Sequence, residues 1–509
     1  MKDILLMTVD LGTSFIKVGV YNADSKCVAS ETEPVKDYRP SPGVFIQKGE
    51  ELYASVLACI KKATNHLGER AQKIEAIAFT GQMSGFMGVD EHWNDITTWS
   101  CSLDNRYMPY AERQMAQFRD HFLDIGGTNF PQMAPKFEWF QTEYPLESNR
   151  IAKYLMISGY VIGKLGDLPI EEAIIDRTFI QWTGLADVRN DRWSKYICDA
   201  IDLDQKLLPK IVNSNDICGY LSDSSARETG LKAGIPLVSG AGDKPAGCLG
   251  AGIVTPGDMI FEASSYGEIS CCVEEYRPDF LERRLDVIPS AIAGEFYSTH
   301  FVAGSGITLD WFMNTFVKQE GVSTKEMFAR MEEKVANIEP GCDGVMALGL
   351  LGGSSMPLDG ALRGLWMGHD WSHKKEHFYR ALLESFSYDF ALSIRSIERL
   401  YPEYALRAIR IIGGGAKSAV WTQMCADVQG KTYQVLNRED VAMWGAAMLA
   451  GNAIGVFGDL KQTAKAFVEV EKEFKPDMTQ KADYDKHLAL YEKYMIELHD
   501  FFVRLQNIQ

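Results

Sequence analysis

A single carboxylate stands where a buried strand meets a helix near the middle of the chain. The apolar run 235–238 predicts a short strand, and Gly-Ala-Gly-Asp-Lys-Pro-Ala-Gly follows it at 240–247. Asp243 takes the position of a helix N-cap, and Pro245 suits the first turn of that helix. The glycines allow another backbone or a ligand to come close. The stretch therefore fits a catalytic carboxylate, and it also fits a plain helix cap in a glycine-rich turn.

The N-terminal strand ends in groups suited to phosphate and metal chemistry. An apolar run there predicts a buried strand that ends in Asp-Leu-Gly-Thr-Ser at 10–14, and a second strand follows. Such a strand–turn–strand unit presents backbone N–H groups and the hydroxyls of Thr13 and Ser14 to a phosphate. Asp10 could hold a metal ion through water, and Lys17 supplies a point charge. The alternative is a plain hairpin whose glycine and serine satisfy the turn.

Two more polar segments follow predicted strands in the first half of the chain. A strand over 74–79 runs into Thr-Gly-Gln-Met-Ser-Gly at 80–85. Polar residues after a strand end in an α/β sheet are where ligands bind. Further on, Asp104 and Arg106 form a sugar-binding pair in one interpretation. In the other, Arg106 only orients Asp104 in a structural ion pair.

The pattern starts again past Gly252. Residues 259–269 repeat the order strand, hydroxyl-bearing turn, strand, with Ser264 and Ser265 in the turn. This hints at two related halves. A later strand runs into Gly-Gly-Gly-Ala-Lys-Ser at 413–418, where three glycines allow close approach of a flat or anionic group. Three such turns, spread over both halves, suit a nucleotide held in a cleft between two lobes.

Helical segments supply the rest of the scaffold. Amphipathic or apolar periodicity predicts helices over 50–66, from about 109, from 135, and over 155–165, 376–400, 442–455 and 484–505. The long helix over 376–400 has several apolar faces, which indicates a core element.

Length and charge exclude several classes of protein. A chain of 509 residues with 46% hydrophobic residues is too long for one core, so two or three domains are expected. The net charge of −17 argues against nucleic acid or an anionic membrane as the main partner. Ten scattered cysteines without a Cys-x-x-Cys pair favour reduced thiols in a cytoplasmic protein. The short N-terminal apolar run predicts a strand, not a signal peptide, and no run is long enough to span a membrane.

The order of the motifs identifies a family. The Walker A string and the protein-kinase motif set are both missing from the sequence. The chain instead resembles the FGGY family of carbohydrate kinases, in the actin/hexokinase/heat-shock-ATPase superfamily, from Asp10 to the C-terminal helix. Each motif is weak alone, but six occur in the family order: Asp10 to Ser14 with Lys17, Gly81-Gln82-Met83, Ala134-Pro135-Lys136 with Trp139, Gly240 to Asp243, Arg363-Gly364, and Gly413 to Ser418.

The resemblance implies an α/β protein with two ribonuclease-H-like domains, 1–252 and 253–509, and a cleft between them. The first would bind the sugar and carry the catalytic base, and the second would bind ATP. The implied reaction is ATP-dependent phosphorylation of a hydroxyl of a small sugar, a ketopentose such as xylulose or a related sugar or polyol, with Mg²⁺ as cofactor. The partner is then a small molecule, and a homodimer is left open. The alternative is a non-catalytic nucleotide- and sugar-binding sensor of the same fold, against which the intact pair Asp10 and Asp243 argues.

The resemblance also implies a role for each matching residue. Asp243 would be the general base and, with Asp10, would hold hydrated magnesium. The sugar would face Met83, Ser84, Asp104 and Asp243. The nucleotide and its phosphates would contact Gly12, Thr13, Ser14, Lys17, Ser264, Ser265, Gly304, Gly414, Ala416 and Lys417.

Some positions depart from the family pattern. Many xylulose-kinase-like members have Met-His where this chain has Met-Ser at 83–84, and glycerol kinases have Arg-Glu there, which disfavours glycerol. A ketopentose, a related sugar acid or a polyol stays open as the acceptor. The Gly-Thr-Ser of the family is Ala-Ser-Ser at 263–265, and its Asp-Gln is Asp-Lys at 243–244. Lys244 either lowers the pKa of Asp243 as a local partner or faces solvent.

Overall fold

Two mixed β-sheets, one in each half of the sequence, form the framework of the structure, a computed structural model that describes residues 4–302 and 304–508. The strands of the first half are β1 (Leu5–Leu11), β2 (Phe15–Asn22), β3 (Cys27–Pro34), β4 (Ile74–Gly81), β5 (Gly85–Val89), β6 (Ser100–Cys101), β7 (Lys153–Leu155), β8 (Ile174–Asp176), β9 (Ala186–Asp187), β10 (Arg192–Trp193), β11 (Lys210–Val212), β12 (Ile217–Tyr220) and β13 (Pro236–Val238). Its helices are α1 (Gly49–Leu67), α2 (Met108–Gly126), α3 (Met133–Glu143), α4 (Pro145–Ser148), α5 (Ile157–Gly166), α6 (Lys195–Ala200), α7 (Asp223–Thr229) and α8 (Asp243–Gly250).

The second half is built from the same kinds of element. Its strands are β14 (Met259–Ala263), β15 (Gly267–Val273), β16 (Asp286–Pro289), β17 (Phe296–Val302), β18 (Met346–Leu348), β19 (Ser354–Ser355), β20 (Leu358–Asp359), β21 (Leu365–Met367), β22 (Ile409–Ile412), β23 (Tyr433–Leu436) and β24 (Val470–Phe474). Its helices are α9 (Ser305–Phe312), continued by a π-helical turn (Met313–Val317), α10 (Thr324–Val335), α11 (Lys375–Leu400), α12 (Ala419–Gln429), α13 (Val441–Ala453), α14 (Leu460–Ala466), α15 (Met478–Glu497) and α16 (His499–Gln506).

The two sheets have the same strand order. The first sheet runs β3-β2-β1-β4-β13-β12, and the second runs β17-β15-β14-β22-β23-β24 with β16 added beyond β17. In both sheets the first three strands pair antiparallel, the next two join in parallel, and the last strand is antiparallel again. The predicted α/β class and the two related halves are therefore confirmed at the level of topology.

Burial explains why β1 lies in the middle of its sheet. Each of its seven residues is buried except Asp10, which is partly exposed near the carboxyl end of the strand. A near-continuous apolar run is typical of a strand covered on both faces. Asp10, the charged residue of β1, thus lies at the carboxyl end of the strand, where ligands bind in α/β folds.

Helix α8 of the first half and helix α13 of the second half pack closely against each other at glycines. A Cβ atom on Gly250 of α8 would lie 1.9 Å from the carbonyl oxygen of Val441, and one on Gly445 of α13 would lie 1.9 Å from that of Ala246. Helix α13, from the second half, covers the first sheet in a buried cluster that includes Trp444 and Leu6. The end of α8 and the residues after it pack against β14, β15 and β17 of the second sheet. Each sheet is therefore covered partly by a helix from the other half.

The predicted helices are present, with two differences. Gly242 is the N-cap of α8, and Asp243 is its first residue; the Asp243 carboxylate still accepts a hydrogen bond from the N–H of Lys244 (2.8 Å), one of the donors that a helix start leaves free. The helix predicted over 484–505 is two helices, α15 and α16. The break comes beside His499, whose ring nitrogen Nδ1 lies 2.6 Å from Asp359 Oδ2.

None of the helices in the described part of the chain combines the length and the apolar character that crossing a membrane requires.

Candidate active site

The turn before Asp243 is shaped by the close approach of the first sheet. Gly240 has φ +73°, and a Cβ atom there would lie 1.7 Å from the carbonyl oxygen of Phe79 in β4. A Cβ atom on Gly242 would lie 2.5 Å from Cγ of Met83. The contact at Gly240 is with backbone and, together with its positive φ, excludes any larger residue. At Gly242 a larger residue would force the Met83 side chain to move. Neighbouring protein thus requires the glycine at 240 and favours the one at 242.

A side chain that the sequence motifs did not include fixes the same turn. The hydroxyl of Thr178 accepts a hydrogen bond from the Gly242 N–H at 2.8 Å. Thr178 is itself held by Asp176, whose Oδ1 accepts from the Thr178 N–H at 2.9 Å and from its hydroxyl. Asp176 is the N-cap of a 3-10 helix here. The Asp-x-Thr spacing is the sequence signal that could have pointed to Thr178.

Asp243 lies partly exposed at the start of α8, in an acidic environment. The pKa of its carboxyl is raised to about 7: burial is the largest cause, the Lys244 ammonium acts against it, and the carboxylates of Glu262, Asp10 and Glu268 add to it. Burial likewise raises the pKa of Asp10, against the attraction of Lys17, whose Nζ lies 4.0 Å from Asp10 Oδ2. The structure therefore brings Asp10 and Asp243 into electrostatic contact.

Lys244 does not face solvent. Its ammonium contacts Glu262 and lies 3.1 Å from Oε2 of Glu268, and its side chain is 19% exposed. Both glutamates belong to the second sheet. Of the two alternatives, the structure supports the one in which Lys244 lowers the pKa of Asp243. The glutamate partners were missed because they follow Lys244 by 18 and 24 residues and match no motif.

The turns after β1 and β4 lie against each other. The Thr13 hydroxyl donates to Gln82 Oε1 (3.3 Å), and the Gln82 N–H donates to the carbonyl of Leu11 (3.2 Å). Gln47 Nε2 donates to the Thr13 carbonyl at 2.7 Å. The Ser14 side chain is exposed beside them. The family motifs at 10–14 and 81–83 are thus two sides of one site, which Gln47, unnoticed in the sequence, supports.

Met83 and Ser84 are buried beside the Asp243 turn. Met83 packs against Gly242, and the Ser84 hydroxyl donates to Oε1 of Gln132. Gln132 is the N-cap residue of α3 and remains partly exposed. It is a polar residue at the predicted sugar end that no motif indicated.

Asp104 is fully buried and ion-paired. Arg106 Nε and Nη2 donate to its two carboxylate oxygens at 2.9 and 2.7 Å, and the Ser100 hydroxyl donates to Oδ2 at 2.7 Å. Burial alone would raise the pKa of Asp104, but the hydrogen bonds from Arg106 and Ser100 hold it below its usual range. The structure thus shows the ion pair of the second interpretation, and contact of Asp104 with a sugar stays a prediction.

Two residues of the motif at 134–139 contact the segment that carries this ion pair. Lys136 is buried and donates to the carbonyls of Ser100 (2.7 Å) and Cys101 (2.6 Å), which precede Asp104. Burial lowers the pKa of Lys136 to about 8. The Trp139 ring lies 4.7 Å from the Arg106 guanidinium carbon. Both residues therefore act on the Asp104 segment through packing and hydrogen bonds.

A cavity of about 760 Å³ opens beside the second sheet. Its size is ordinary for a small-molecule site. Four of the predicted nucleotide residues line it: Ser264, Ser265, Gly414 and Lys417. Its apolar wall consists of Leu309, Phe328, Val335, Tyr379, Leu383 and Trp421. One side is thus rich in hydroxyls and backbone, and the other suits a flat apolar group.

Of the remaining predicted nucleotide residues, Gly304 and Ala416 lie close to this cavity. Gly304 is the N-cap of α9, with φ +83°, two residues before Gly306 in the cavity wall. Ala416 lines a neighbouring cavity of about 650 Å³ on the other side of the glycine turn, together with Lys417. Residues 12–17 lie at the first sheet and do not line either cavity. Their contact with nucleotide phosphates stays a prediction.

The donor set fits magnesium. Among the described residues no three His, Cys, Asp or Glu side chains stand together as a metal site. Mg²⁺ usually keeps several waters and binds through one or two carboxylates plus substrate phosphates. Asp10 and Asp243, whose carboxylates interact electrostatically, supply two such groups.

Comparison with known proteins gives consistent matches along the chain. The model of the N-terminal domain of the FGGY family of carbohydrate kinases matches residues 5–250, and that of its C-terminal domain matches residues 269–454. A xylulose kinase from Bacillus subtilis (strain 168) is 26% identical over 506 residues, 98% of either chain.

Solved structures share the fold. A gluconate kinase from Lactobacillus acidophilus superposes with a TM-score of 0.90 at 20% identity, and a xylulose kinase from Rhodospirillum rubrum with a TM-score of 0.89 at 23% identity. Each superposition covers 98% of this chain and 99% of the other.

Proposed function

Because this chain belongs to the FGGY family of carbohydrate kinases, we propose that it transfers the γ-phosphoryl group of ATP to a hydroxyl of a neutral ketose or polyol, a ketopentose such as xylulose first of all. The observation that carries the proposal is the position of Asp243. Its partly exposed carboxylate stands at a helix start between the Met83–Ser84 segment and the strands that bear the Ser264–Ser265 turn. Sugar and nucleotide would meet there.

Asp243 would act as the general base. The acceptor hydroxyl gives its proton to the Asp243 carboxylate while its oxygen forms a bond to the γ-phosphorus. The bond from that phosphorus to the oxygen bridging to the β-phosphorus breaks, and ADP leaves. A carboxylate with a pKa about 7 is a sufficient base, since phosphoryl transfer depends mainly on positioning and charge neutralisation.

The phosphates would be held from both sheets. We infer that Thr13, Ser14 and Lys17 contact them from the first sheet, and Ser264 and Ser265 from the second. Asp10 and Asp243 would hold hydrated magnesium, which when bound neutralises phosphate charge. The adenosine would take the apolar part of the cavity at Gly414.

The charges near the sugar end favour a neutral acceptor. Lys244 is shared by Glu262 and Glu268, and Arg106 is paired with Asp104. A sugar acid would therefore have to compete with an internal carboxylate for either cation. A ketose or polyol needs only hydrogen-bonding groups such as Ser84 and Gln132.

The division of labour between the halves belongs to the same proposal. We infer that the sugar domain ends near residue 252 and the nucleotide domain follows it, because α8 closes the first unit and the second sheet begins at Met259. A cytoplasmic location rests on the unpaired thiols of the chain. A homodimer remains a hypothesis.

A panel of acceptors tests the proposal directly. ADP release with ATP and magnesium would be coupled to NADH oxidation, with xylulose, ribulose, xylitol, glycerol and gluconate as acceptors. We expect kcat/KM for the best neutral acceptor to exceed that for gluconate at least about tenfold. This ratio corresponds to about 1.4 kcal/mol, roughly what gluconate would lose by displacing one internal ion pair. Gluconate as the best acceptor would contradict the charge argument. If no acceptor stimulates ADP release although ATP binds measurably, the non-catalytic nucleotide- and sugar-binding sensor would be favoured.

The pH dependence should follow the base. Asp243 must be ionised to accept a proton, and its pKa in the free protein is about 7. We therefore expect kcat/KM for the acceptor to be constant above about pH 8 and to fall about tenfold per pH unit well below pH 7. The measurement is the coupled assay at constant ionic strength, with a doubled coupling-enzyme concentration as control. A rate that stays constant down to about pH 5.5 would exclude a base with this pKa.

A further inference from the structure

We propose that Lys244 is a positioning residue for phosphoryl transfer: its ammonium fastens the helix that carries Asp243 to the two strands joined by the Ser264–Ser265 turn. The inference rests on the proposed function, in which Asp243 is the base and this turn contacts phosphate. Two of the three departures from the family pattern lie at or beside this contact, because Lys244 follows Asp243 and Glu262 precedes the Ala-Ser-Ser segment.

The contact closes the base of a hairpin. Glu262 in β14 and Glu268 in β15 are cross-strand partners, and the turn between these strands carries the two serines. One ammonium binds both glutamates, so it would also relieve the repulsion between like charges on directly opposed residues. The Lys244 side chain thus ends where the phosphate-binding turn begins.

The far side of the contact is rigid. Oε1 of Glu268 accepts hydrogen bonds from the hydroxyls of Ser270 (3.1 Å) and Thr299 (3.0 Å). Thr299 lies in β17, the next strand of the second sheet. Glu268 is buried, and its carboxylate is tied to β15 and β17 as well as to Lys244. The ammonium is therefore anchored on the sheet and not on a mobile side chain.

The near side is held by the other half of the protein. The turn that leads into Asp243 is bonded to Thr178 and lies against Phe79 of the first sheet. The backbone of Asp243 is thus placed by the first sheet, and the side chain of the next residue is placed by the second. Lys244 is thus a direct charged link that fixes the distance between Asp243 and the Ser264–Ser265 turn.

A small error in that distance would be costly for the reaction. A misplacement of about 1 Å in a reacting pair can cost about 100-fold in rate without changing binding of either substrate. Removal of the ammonium also leaves Glu262 and Glu268 unpaired in a largely buried place. We expect them to repel each other and the nearby Asp243, which moves α8 away from the second sheet.

The test compares Lys244→Met with Lys244→Arg in the full-length protein. We expect kcat to fall about 10- to 100-fold in Lys244→Met, with the acceptor KM and the ATP Kd changed by less than about threefold. Lys244→Arg keeps the charge and should recover most of kcat. The matched control is Lys461→Met, which breaks the contact of Lys461 with the buried Glu295 and should leave kcat unchanged.

A double-mutant cycle keeps the proposal testable if Lys244→Met does not fold. Glu268→Gln removes one of the two carboxylates that bind Lys244 and should lower kcat by itself. Adding Lys244→Gln should then lower kcat by less than the product of the two single losses, since both changes weaken the same link. Additive losses, a wild-type kcat in Lys244→Met, or an effect on KM alone would overturn the proposal.

Asp243→Asn tests the assignment of the general base independently of the role of Lys244. If Asp243→Asn retains full turnover, the assignment of Asp243 is wrong whatever Lys244 does. If Asp243→Asn is inactive while Lys244→Met turns over normally, the proposed function stands and the positioning role falls.

Discussion

Asp243→Asn is expected to lower kcat by about 10³- to 10⁴-fold while ATP binds almost as in the wild type. The amide has the same shape as the carboxylate but cannot accept the proton of the acceptor hydroxyl. The cavity at Gly414, where we infer that adenosine binds, does not include Asp243. Rate is measured by the coupled assay, and ATP affinity by calorimetry with the inactive variant.

Thermal unfolding of the same variant gives an independent check. The folded-state pKa of Asp243, about 7, lies above the usual value of 3.8, so ionisation costs stability as the pH rises between those values. Asp243→Asn removes this cost. We therefore expect a higher Tm than wild type at about pH 8, with a gain that shrinks as the pH falls towards about 4.

A matched control is available for both readouts. Asp427→Asn removes another buried carboxylate whose pKa is raised by burial, in α12 away from the Asp243 turn, and should leave kcat unchanged. Loss of ATP binding in Asp243→Asn would instead mean that the main role of Asp243 is structural or in holding magnesium, and not in proton transfer. Normal turnover would remove it from the mechanism.

Gly445→Ala is expected to be strongly destabilising, because it adds a methyl group at the junction of the halves. The new Cβ atom would lie 1.9 Å from the Ala246 carbonyl oxygen and 3.1 Å from the Gly250 nitrogen. These are backbone atoms of a packed helix, so neither can move aside as a flexible side chain would. We expect a loss of about 3 kcal/mol in the free energy of unfolding, measured from the urea midpoint.

Gly458→Ala is the control for this substitution. No atom lies within 4 Å of a Cβ placed there. Its urea midpoint should stay close to that of the wild type. A wild-type midpoint in Gly445→Ala would mean that α8 and α13 separate without cost.

Local sequence patterns were enough to place the elements around the site. The apolar runs before Asp10, Thr80 and Gly413 predict the central strands, because a strand covered on both faces reads as one buried segment. The strand order, in contrast, depends on pairings between distant segments, such as β4 with β13. The family resemblance supplied that topology.

The partners of the site residues were harder to predict. Thr178 precedes the Asp243 turn by some sixty residues, and the glutamates that hold Lys244 lie on the other sheet. Periodicity says which face a residue occupies, but not which side chain from another element meets it. For Asp104 the sequence left two interpretations, and only the geometry of Arg106 and Ser100 shows the ion pair.

Because α8 and α13 each cover the sheet of the other half, the two halves depend on each other to fold. A fragment that ends near residue 250 would contain the first sheet without Trp444 and its neighbours, which cover Leu6 and Tyr21. A fragment that begins after it would lack Cys248, which packs beside Tyr297. Neither fragment would bury its own sheet, so the duplicated architecture does not give two independently folding pieces. A chain severed at this point could regain its fold only by fragment complementation, with each piece completing the core of the other.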